Sequence, residues 1–315
     1  MESQAKNRAK IMQFGGLVMF LLLTRAALSV ARSRPCVEVK IETEQHVGPP
    51  HTAEDRRMNL IFRPLKLTYR VPTTPEDQPI TLSIAPGPVE AGAGLVVEHI
   101  AADGTRTTQS LAPEPWWFLK AETRQIKSSS VSTYFSVRVL PGMSFDFSKL
   151  GIYRISYVHP WAELQEDPNS SVYRSNILTI ACVPQERSDQ LHAMLRQNTE
   201  LALASYRFKH PPSTSEVPSY QRRVVKVIDD AIKQGTKQDE VLLLLGSPDT
   251  VSYHSAGQQK TYGCDETWLF ETSPVGGYSV SFKNGRVVGK TFYAQGADNP
   301  DPRNLTWSDR DVINE

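Results

Sequence analysis

The chain has 315 residues, which is enough for two domains of ordinary size. Hydrophobic residues make up 39% and charged residues 22%, a composition that excludes a disordered chain and a protein built mainly of membrane spans. The 35 basic residues nearly balance the 34 acidic ones and form no stripe, so we do not expect nucleic acid as a partner.

The N-terminal residues follow the order of segments that is typical of an export signal. Basic residues within the first ten precede an apolar run, residues 11–24, and small residues up to Ala31 suit a cleavage site. A spanning helix needs about 20 apolar residues, so this run is short unless the span reaches Ala31. Residues 1–31 are therefore expected to be a cleaved signal peptide or, if uncleaved, an anchor tethered to the inner membrane through residues 11–31. Both alternatives place the protein in the periplasm or outer envelope.

Residues 36–184 have the pattern of an all-β domain. Short stretches such as 65–71 alternate apolar and polar residues, and Pro and Gly clusters separate them. About seven or eight such strands predict an antiparallel β-sandwich. Gly151 lies two residues before Tyr153 at the start of a strand, which resembles the tyrosine corner of immunoglobulin-like domains. The resemblance implies that the Tyr153 hydroxyl bonds back to the preceding corner.

Export makes the three cysteines eligible for oxidation. Cys36 begins the predicted first strand and Cys182 ends the predicted last strand of the sandwich. The ends of such strands are often close, so we expect a disulfide between Cys36 and Cys182. Three unpaired buried thiols, including Cys264, are the alternative of equal weight.

Two groups of tryptophans are candidate contacts for a ligand. Trp116 with Trp117, and separately Trp161, follow prolines in predicted loops of the sandwich. Indole rings there could stack on a sugar ring or hold a peptide. Packing into the core is the alternative, since adjacent strand residues point to opposite faces.

After the sandwich, the hydrophobic pattern changes to a helical period. Residues 185–218 predict an amphipathic helix and a proline-rich linker, and residues 219–296 predict a small α+β domain. In that domain Gly235 and Gly246 end two helices, and strands follow. The remaining residues, 297–315, predict a flexible tail.

Two local details of the small domain can be predicted. Thr236 is expected to cap the second helix, with Asp239 as its reciprocal partner. The turn at Asn284 and Gly285 predicts a hairpin that places Phe282 opposite Val287. The same register places Val280 opposite Gly289.

Residues 232–249, with the strand around Trp268 and the hairpin 282–287, resemble the SmpA/OmlA (BamE-like) family. The resemblance implies two helices packed on a three-stranded antiparallel sheet, in a small exported domain that binds other proteins. Two departures are Thr236, where family members commonly have Met, and an N-terminus unlike a lipoprotein signal. The expected fold class is thus mostly β with two domains: an immunoglobulin-like sandwich followed by this α+β domain.

The sequence contains no Gly-x-Ser-x-Gly, HExxH, P-loop or GxGxxG motif. We therefore expect no catalytic residues, cofactor or metal. The expected function is a binding or assembly role among other envelope proteins. A protease- or hydrolase-inhibitor module and a glycan-binding sandwich are the alternatives. Nothing in the sequence indicates the oligomeric state.

The expected contact surface is the sheet face opposite the helices, together with a segment from 253 to 265 that is interpreted as a long loop. The candidate partner-binding residues on that segment are Tyr253, His254, Gln258 and Tyr262.

Overall fold

The protein is β-rich, as the sequence predicts. The computed structural model describes residues 37–57, 63–71, 80–84, 89, 92–110, 124–128, 131–158, 175–210, 218–272 and 276–294. Within these ranges it contains fourteen strands, six α-helices and a short 3-10 turn at Pro141–Met143. None of the helices described is long and apolar enough to cross a membrane. The predicted signal or anchor, residues 1–31, and the tail, residues 297–315, lie outside the described residues.

Two sheets pack on either side of a first hydrophobic core. The three-stranded sheet has the order β1–β3–β8, and the five-stranded sheet has the order β2–β10–β9–β5–β6. The strands of the three-stranded sheet are β1 (Glu38–Glu42), β3 (Leu65–Val71) and β8 (Thr133–Val139). Those of the five-stranded sheet are β2 (Val47–Gly48), β5 (Leu95–Ile100), β6 (Arg106–Ser110), β9 (Gly151–Tyr157) and β10 (Leu178–Cys182). A separate pair is formed by β4 (Ile80–Ile84) and β7 (Arg124–Ser128), and a short helix α1 (Ala53–Arg57) follows β2.

Alternation along the strands builds this first core. Leu65, Leu67 and Tyr69 of β3 point inward, and the intervening residues are more exposed. Across the core the Tyr69 hydroxyl donates a hydrogen bond of 2.6 Å to the hydroxyl of Tyr157 on β9. The two sheets are therefore joined by apolar packing and by this buried polar contact.

The expected tyrosine corner is confirmed. The Tyr153 hydroxyl donates to the backbone oxygen of Lys149 at 3.0 Å. Gly151 has a φ of +139°, and a Cβ atom there would lie 2.4 Å from the carbonyl oxygen of Ile100. Only glycine fits at this turn, because any side chain would collide with β5.

The second half of the chain contains five helices and a four-stranded sheet. The helices are α2 (Gln185–Gln197), α3 (Thr199–Lys209), α4 (Pro218–Ala231), α5 (Gln238–Leu245) and α6 (Ala256–Tyr262). The antiparallel sheet has the order β11 (Thr250–Tyr253), β12 (Glu266–Thr272), β13 (Gly276–Lys283) and β14 (Arg286–Ala294). The prediction of three strands was wrong, because Thr250–Tyr253 adds a fourth strand at the edge. The sequence predicts one helix after the sandwich, but the structure has two. The second, α3, begins where the Asn198 side chain accepts a hydrogen bond from the Leu201 amide.

The second core is shared with the five-stranded sheet. Helices α2–α5 and the four-stranded sheet pack around it. Val47 of β2 and Ala181 of β10 also contribute to it, as does Val183, which follows β10 directly. All five residues of β10 are buried: Leu178, Ile180 and Cys182 face the first core, whereas Ala181 faces the second. A domain boundary near residue 219 stays a prediction, but the packing shows that the second core begins earlier in the chain.

Two predicted details of this half are corrected by longer-range contacts. Thr236 does not cap α5, because its hydroxyl accepts a hydrogen bond from the Lys233 amide at 2.9 Å and closes the preceding turn. Asp239 instead binds the Arg187 guanidinium of α2, with an Nε to Oδ2 distance of 2.9 Å. The N-cap position of α5 is Lys237, without a side-chain cap.

The hairpin turn is confirmed and its register is confirmed in part. Asn284 and Gly285 have φ angles of +51° and +70°, as a tight hairpin turn requires. Phe282 lies opposite Val287 as predicted. Val280 lies opposite Lys290, not Gly289, because the register shifts next to Phe282 and Gly289 pairs with Ser281. A bulge of this kind cannot be seen in the alternation of the sequence.

Candidate partner-binding face

The four-stranded sheet has one buried face and one open face. Trp268, Tyr278 and Phe282 are fully buried against the helices. Because successive side chains point to opposite faces, their neighbours point away from the second core. We call this side the open face. Its central residues, all partly exposed, are Thr267, Leu269, Ser279, Ser281, Gly289 and Thr291.

The centre of the open face is uncharged and consists largely of small residues. The hydroxyl oxygens of Thr267 and Ser281 lie 3.1 Å apart on neighbouring strands. The Ser279 hydroxyl donates to the backbone oxygen of Thr291 at 3.4 Å. A Cβ atom on Gly289 would meet only Ser281, at 3.9 Å. The hydroxyls of Thr267, Ser279 and Ser281 thus have partners within the sheet.

The predicted long loop from 253 to 265 contains a helix. Ser255 and Gln258 form a capping box at the start of α6, in which the Ser255 amide donates to Oε1 of Gln258 at 2.9 Å. Gly263, with a φ of +71°, ends the helix in the left-handed conformation. The sequence carried this signal, a serine followed three residues later by glutamine, although the apolar pattern on which helix prediction relies is absent here.

Two of the predicted contact residues lie at the border of the open face. Nε2 of His254 lies 3.1 Å from the Thr267 hydroxyl. The ring of Tyr262 packs against the His254 ring with 5.0 Å between centroids, and Tyr262 is 45% exposed. Beneath them, Sγ of Cys264 lies 3.8 Å from the same Thr267 hydroxyl and is buried. An exposed aromatic side chain therefore stands at the end of the uncharged surface.

The other two predicted residues have different positions. Gln258 serves the capping box of α6. Tyr253 lies opposite Glu266 in the β11–β12 ladder, on the side of the sheet that faces the sandwich. Its ring lies beneath two guanidinium groups, at 4.1 Å from Cζ of Arg106 and 4.5 Å from Cζ of Arg154. The structure therefore brings together only His254 and Tyr262 of the predicted set.

The remaining predicted residues concern the sandwich. Trp116, Trp117, Trp161 and Cys36 lie outside the described residues. The Cys182 thiol is buried, and burial raises its pKa to about 11. Its pairing with Cys36 stays a prediction. Within the described ranges, no cluster of three or more histidine, cysteine or carboxylate side chains could hold a metal ion.

The outer side of the three-stranded sheet is of a different kind. We call it the charged face, and it carries Glu38, Lys40, Lys66, Arg70 and Arg138 on exposed or partly exposed positions. Arg70 Nη1 pairs with Glu38 Oε2 at 2.8 Å, and Lys40 Nζ pairs with Glu42 Oε1 at 2.6 Å. This face also contains a hydroxyl pair, Thr68 and Ser136, at 3.1 Å across neighbouring strands.

No protein-family model matches the chain, and searches of curated proteins and of solved structures find no match either. The resemblance to the SmpA/OmlA family therefore rests on the helix and hairpin residues of the second half.

Proposed function

We propose that this chain is an exported, non-enzymatic envelope protein that docks on other envelope proteins through the open face of its four-stranded sheet. In this proposal the first half is an immunoglobulin-like sandwich and the second half a relative of the SmpA/OmlA domain. The bond from Tyr153 to Lys149 supports the first assignment. The packing of α4 and α5 against one side of an antiparallel sheet supports the second.

The observation that carries the proposal is the contrast between the two outward sheet faces. Burying a charged side chain in an interface costs its hydration unless a partner charge replaces it. The centres of protein interfaces are accordingly depleted in charged residues. The charged face would lose several hydrated ions on docking, whereas the centre of the open face would lose none.

The open face has two further properties of an interface. The hydroxyls of Thr267, Ser279 and Ser281 already have partners within the sheet, so covering these three leaves few unsatisfied groups. Tyr262 stands at its border, and tyrosine is one of the residues that most often dominate binding energy. A flat surface with an aromatic residue at one end suits contact with another folded protein.

The two faces offer matched variants for the test. Ser281→Lys places a charge in the cross-strand hydroxyl pair of the open face, and Ser136→Lys does the same on the charged face. The purified full-length variants are used to capture proteins from envelope extracts, and their melting transitions are recorded. We expect Ser281→Lys to lower capture of the partner about tenfold or more, since a buried unpaired lysine costs several kcal/mol. Ser136→Lys should capture like the parent, and both should melt like it.

Two outcomes would contradict the proposal. One is a Ser281→Lys variant that captures the same proteins as the parent, and the other is an equal loss in Ser136→Lys. Release of the captured material by sugars or peptidoglycan fragments would favour the glycan-binding alternative instead.

A further inference from the structure

The five-stranded and four-stranded sheets meet at a polar corner built around Arg154 of β9. The Arg154 side chain is only 5% exposed, and its Nη2 donates to Oε2 of Glu266 on β12 at 2.9 Å. The other oxygen of Glu266 accepts a hydrogen bond from Gln238 at the start of α5. A cation of the sandwich is thus held by a carboxylate 112 residues later in the chain.

Arg154 also has a carboxylate neighbour within its own sheet. Glu98 of β5 lies directly opposite Arg154 in the β5–β9 ladder, where a cross-strand ion pair is the expected arrangement. The distance from Arg154 Nη1 to Glu98 Oε2 is nevertheless 4.0 Å, too long for a hydrogen bond. Arg106 Nη1 instead donates a hydrogen bond of 3.4 Å to Oε1 of Glu98. Arg154 therefore binds the carboxylate of the four-stranded sheet and not the one directly opposite it in its own sheet.

The guanidinium of Arg154 is incompletely satisfied in this position. Its Nε and Nη1 atoms are buried, and neither donates a hydrogen bond to any residue that the structure describes. Burial lowers the pKa of Arg154, and the Glu266 and Glu98 carboxylates oppose that shift. A buried donor without an acceptor is costly, so the present arrangement is not strongly favoured over one that returns Arg154 to Glu98.

We propose that this corner is a latch in which Arg154 exchanges one carboxylate for the other. In the closed state Arg154 binds Glu266, and the Tyr253 ring lies beneath Arg154 and Arg106. In the open state Arg154 binds Glu98, the strand ends at Tyr253 and Glu266 move away from the sandwich, and the Tyr253 ring, which is 42% exposed in the closed state, loses its two guanidinium contacts. The latch thereby governs whether this end of the four-stranded sheet is held against the sandwich.

The position of the corner allows it to open locally. Glu266 is the first residue of β12 and Tyr253 the last of β11, so both lie at one end of the sheet. The buried residues of β12 that anchor the sheet in the second core, Trp268 and Phe270, lie further along the strand. A short movement of the strand ends can release Arg154 without disrupting that core.

If Arg154 exchanges partners, removing Glu266 and removing Glu98 should change the solvent exchange of Arg154 in opposite directions. On the full-length protein, NMR measures the solvent exchange rate of the Arg154 Nε proton, assigned by its loss in Arg154→Lys. Glu266→Gln removes the closed-state partner, and we expect the rate to rise about tenfold. Glu98→Gln removes the open-state partner, and we expect the rate to fall about threefold.

A matched control is provided by the charged face. Glu38 and Arg70 are also a cross-strand pair, so Glu38→Gln should leave the Arg154 rate unchanged. A faster or unchanged rate in Glu98→Gln would overturn the latch, because a static ion pair gains nothing from the loss of its weaker neighbour. An unchanged rate in Glu266→Gln would overturn it as well. If Glu266→Gln does not fold, the slower exchange required of Glu98→Gln still decides the question.

Discussion

The two outward sheet faces of this protein have the same backbone pleat but carry different side chains. Each has a cross-strand hydroxyl pair at its centre, Thr68 with Ser136 and Thr267 with Ser281, at the same separation of 3.1 Å. Around the first pair stand lysines, arginines, glutamates and the exposed Tyr134, and around the second stand leucine, glycine and further hydroxyls.

This difference is not required by either core. The inward side chains of both sheets are equally buried, so the fold would tolerate charged residues on both outer faces. Charged residues on an exposed face keep it hydrated and discourage association. Their absence from the centre of the open face favours this face, and not the charged face, for contact with a partner.

The largest expected effect comes from removing the support beneath the open face. Trp268→Ala empties a fully buried site in the second core and should lower the free energy of unfolding by about 3–5 kcal/mol. Chemical denaturation measures this loss. Partner capture should fail only to the extent that the protein unfolds.

The control for this substitution is Trp268→Phe. It keeps an aromatic ring and removes an indole N–H that is buried without an acceptor among the described residues. The loss of stability should therefore be smaller. A Trp268→Ala protein that melts normally but captures no partner would show that Trp268 is a contact residue, contrary to the account.

Lowering the pH should destabilise the protein where the two cores meet and not at either outward face. His46 precedes β2, and burial, followed by the charges of Lys209, Arg63 and His210, lowers its pKa from 6.5 to about 3. Between pH 6.5 and 3 the unfolded chain therefore binds a proton that the folded chain does not. Stability should fall by about 1–3 kcal/mol as the pH drops through this window, allowing for the partial exposure of the ring.

The measurement for this effect is the free energy of unfolding as a function of pH, with His46→Gln as the comparison. The variant should lose less stability over the same window, because its side chain does not titrate. Identical slopes for the variant and the parent would rule out His46 as the source.

A smaller effect is expected in the sandwich. Tyr153→Phe removes the hydrogen bond to Lys149 and should lower the free energy of unfolding by about 1 kcal/mol. Capture of the partner should not change, since the Tyr153 side chain is buried in the first core, which is built of sandwich residues. Weaker capture with intact stability would place part of the binding site in the first half.

The smallest effect is expected on the charged face. Glu38→Gln breaks the exposed pair with Arg70, and exposed pairs of this kind contribute little. Neither the unfolding midpoint nor capture should change measurably. A clear loss of capture would give the charged face a role that the account denies it.

The sequence predicted those features that depend on nearby residues. Strand alternation, the turn at Asn284 and Gly285, and the bond of Tyr153 to its corner are all set within a few positions of one another. In β13, Ser279 and Ser281 alternate with buried apolar residues, so the local pattern itself indicates the open side of this strand.

Features that depend on distant parts of the chain could not be predicted. Asp239 is bound by Arg187 from another helix, and Arg154 is drawn to Glu266 across the junction. The burial of β10 on both sides depends on the second core, which packs against it from residues much later in the chain. Local pattern constrains which face a residue occupies, but not which element comes to lie upon that face.

The most direct test of the account is photo-crosslinking from the two faces in intact envelopes. A photoreactive amino acid replaces Ser279 on the open face in one protein and Ser136 on the charged face in another. The account predicts a discrete crosslinked envelope protein from position 279 and none from position 136. Crosslinking from position 136 without crosslinking from position 279 would contradict it.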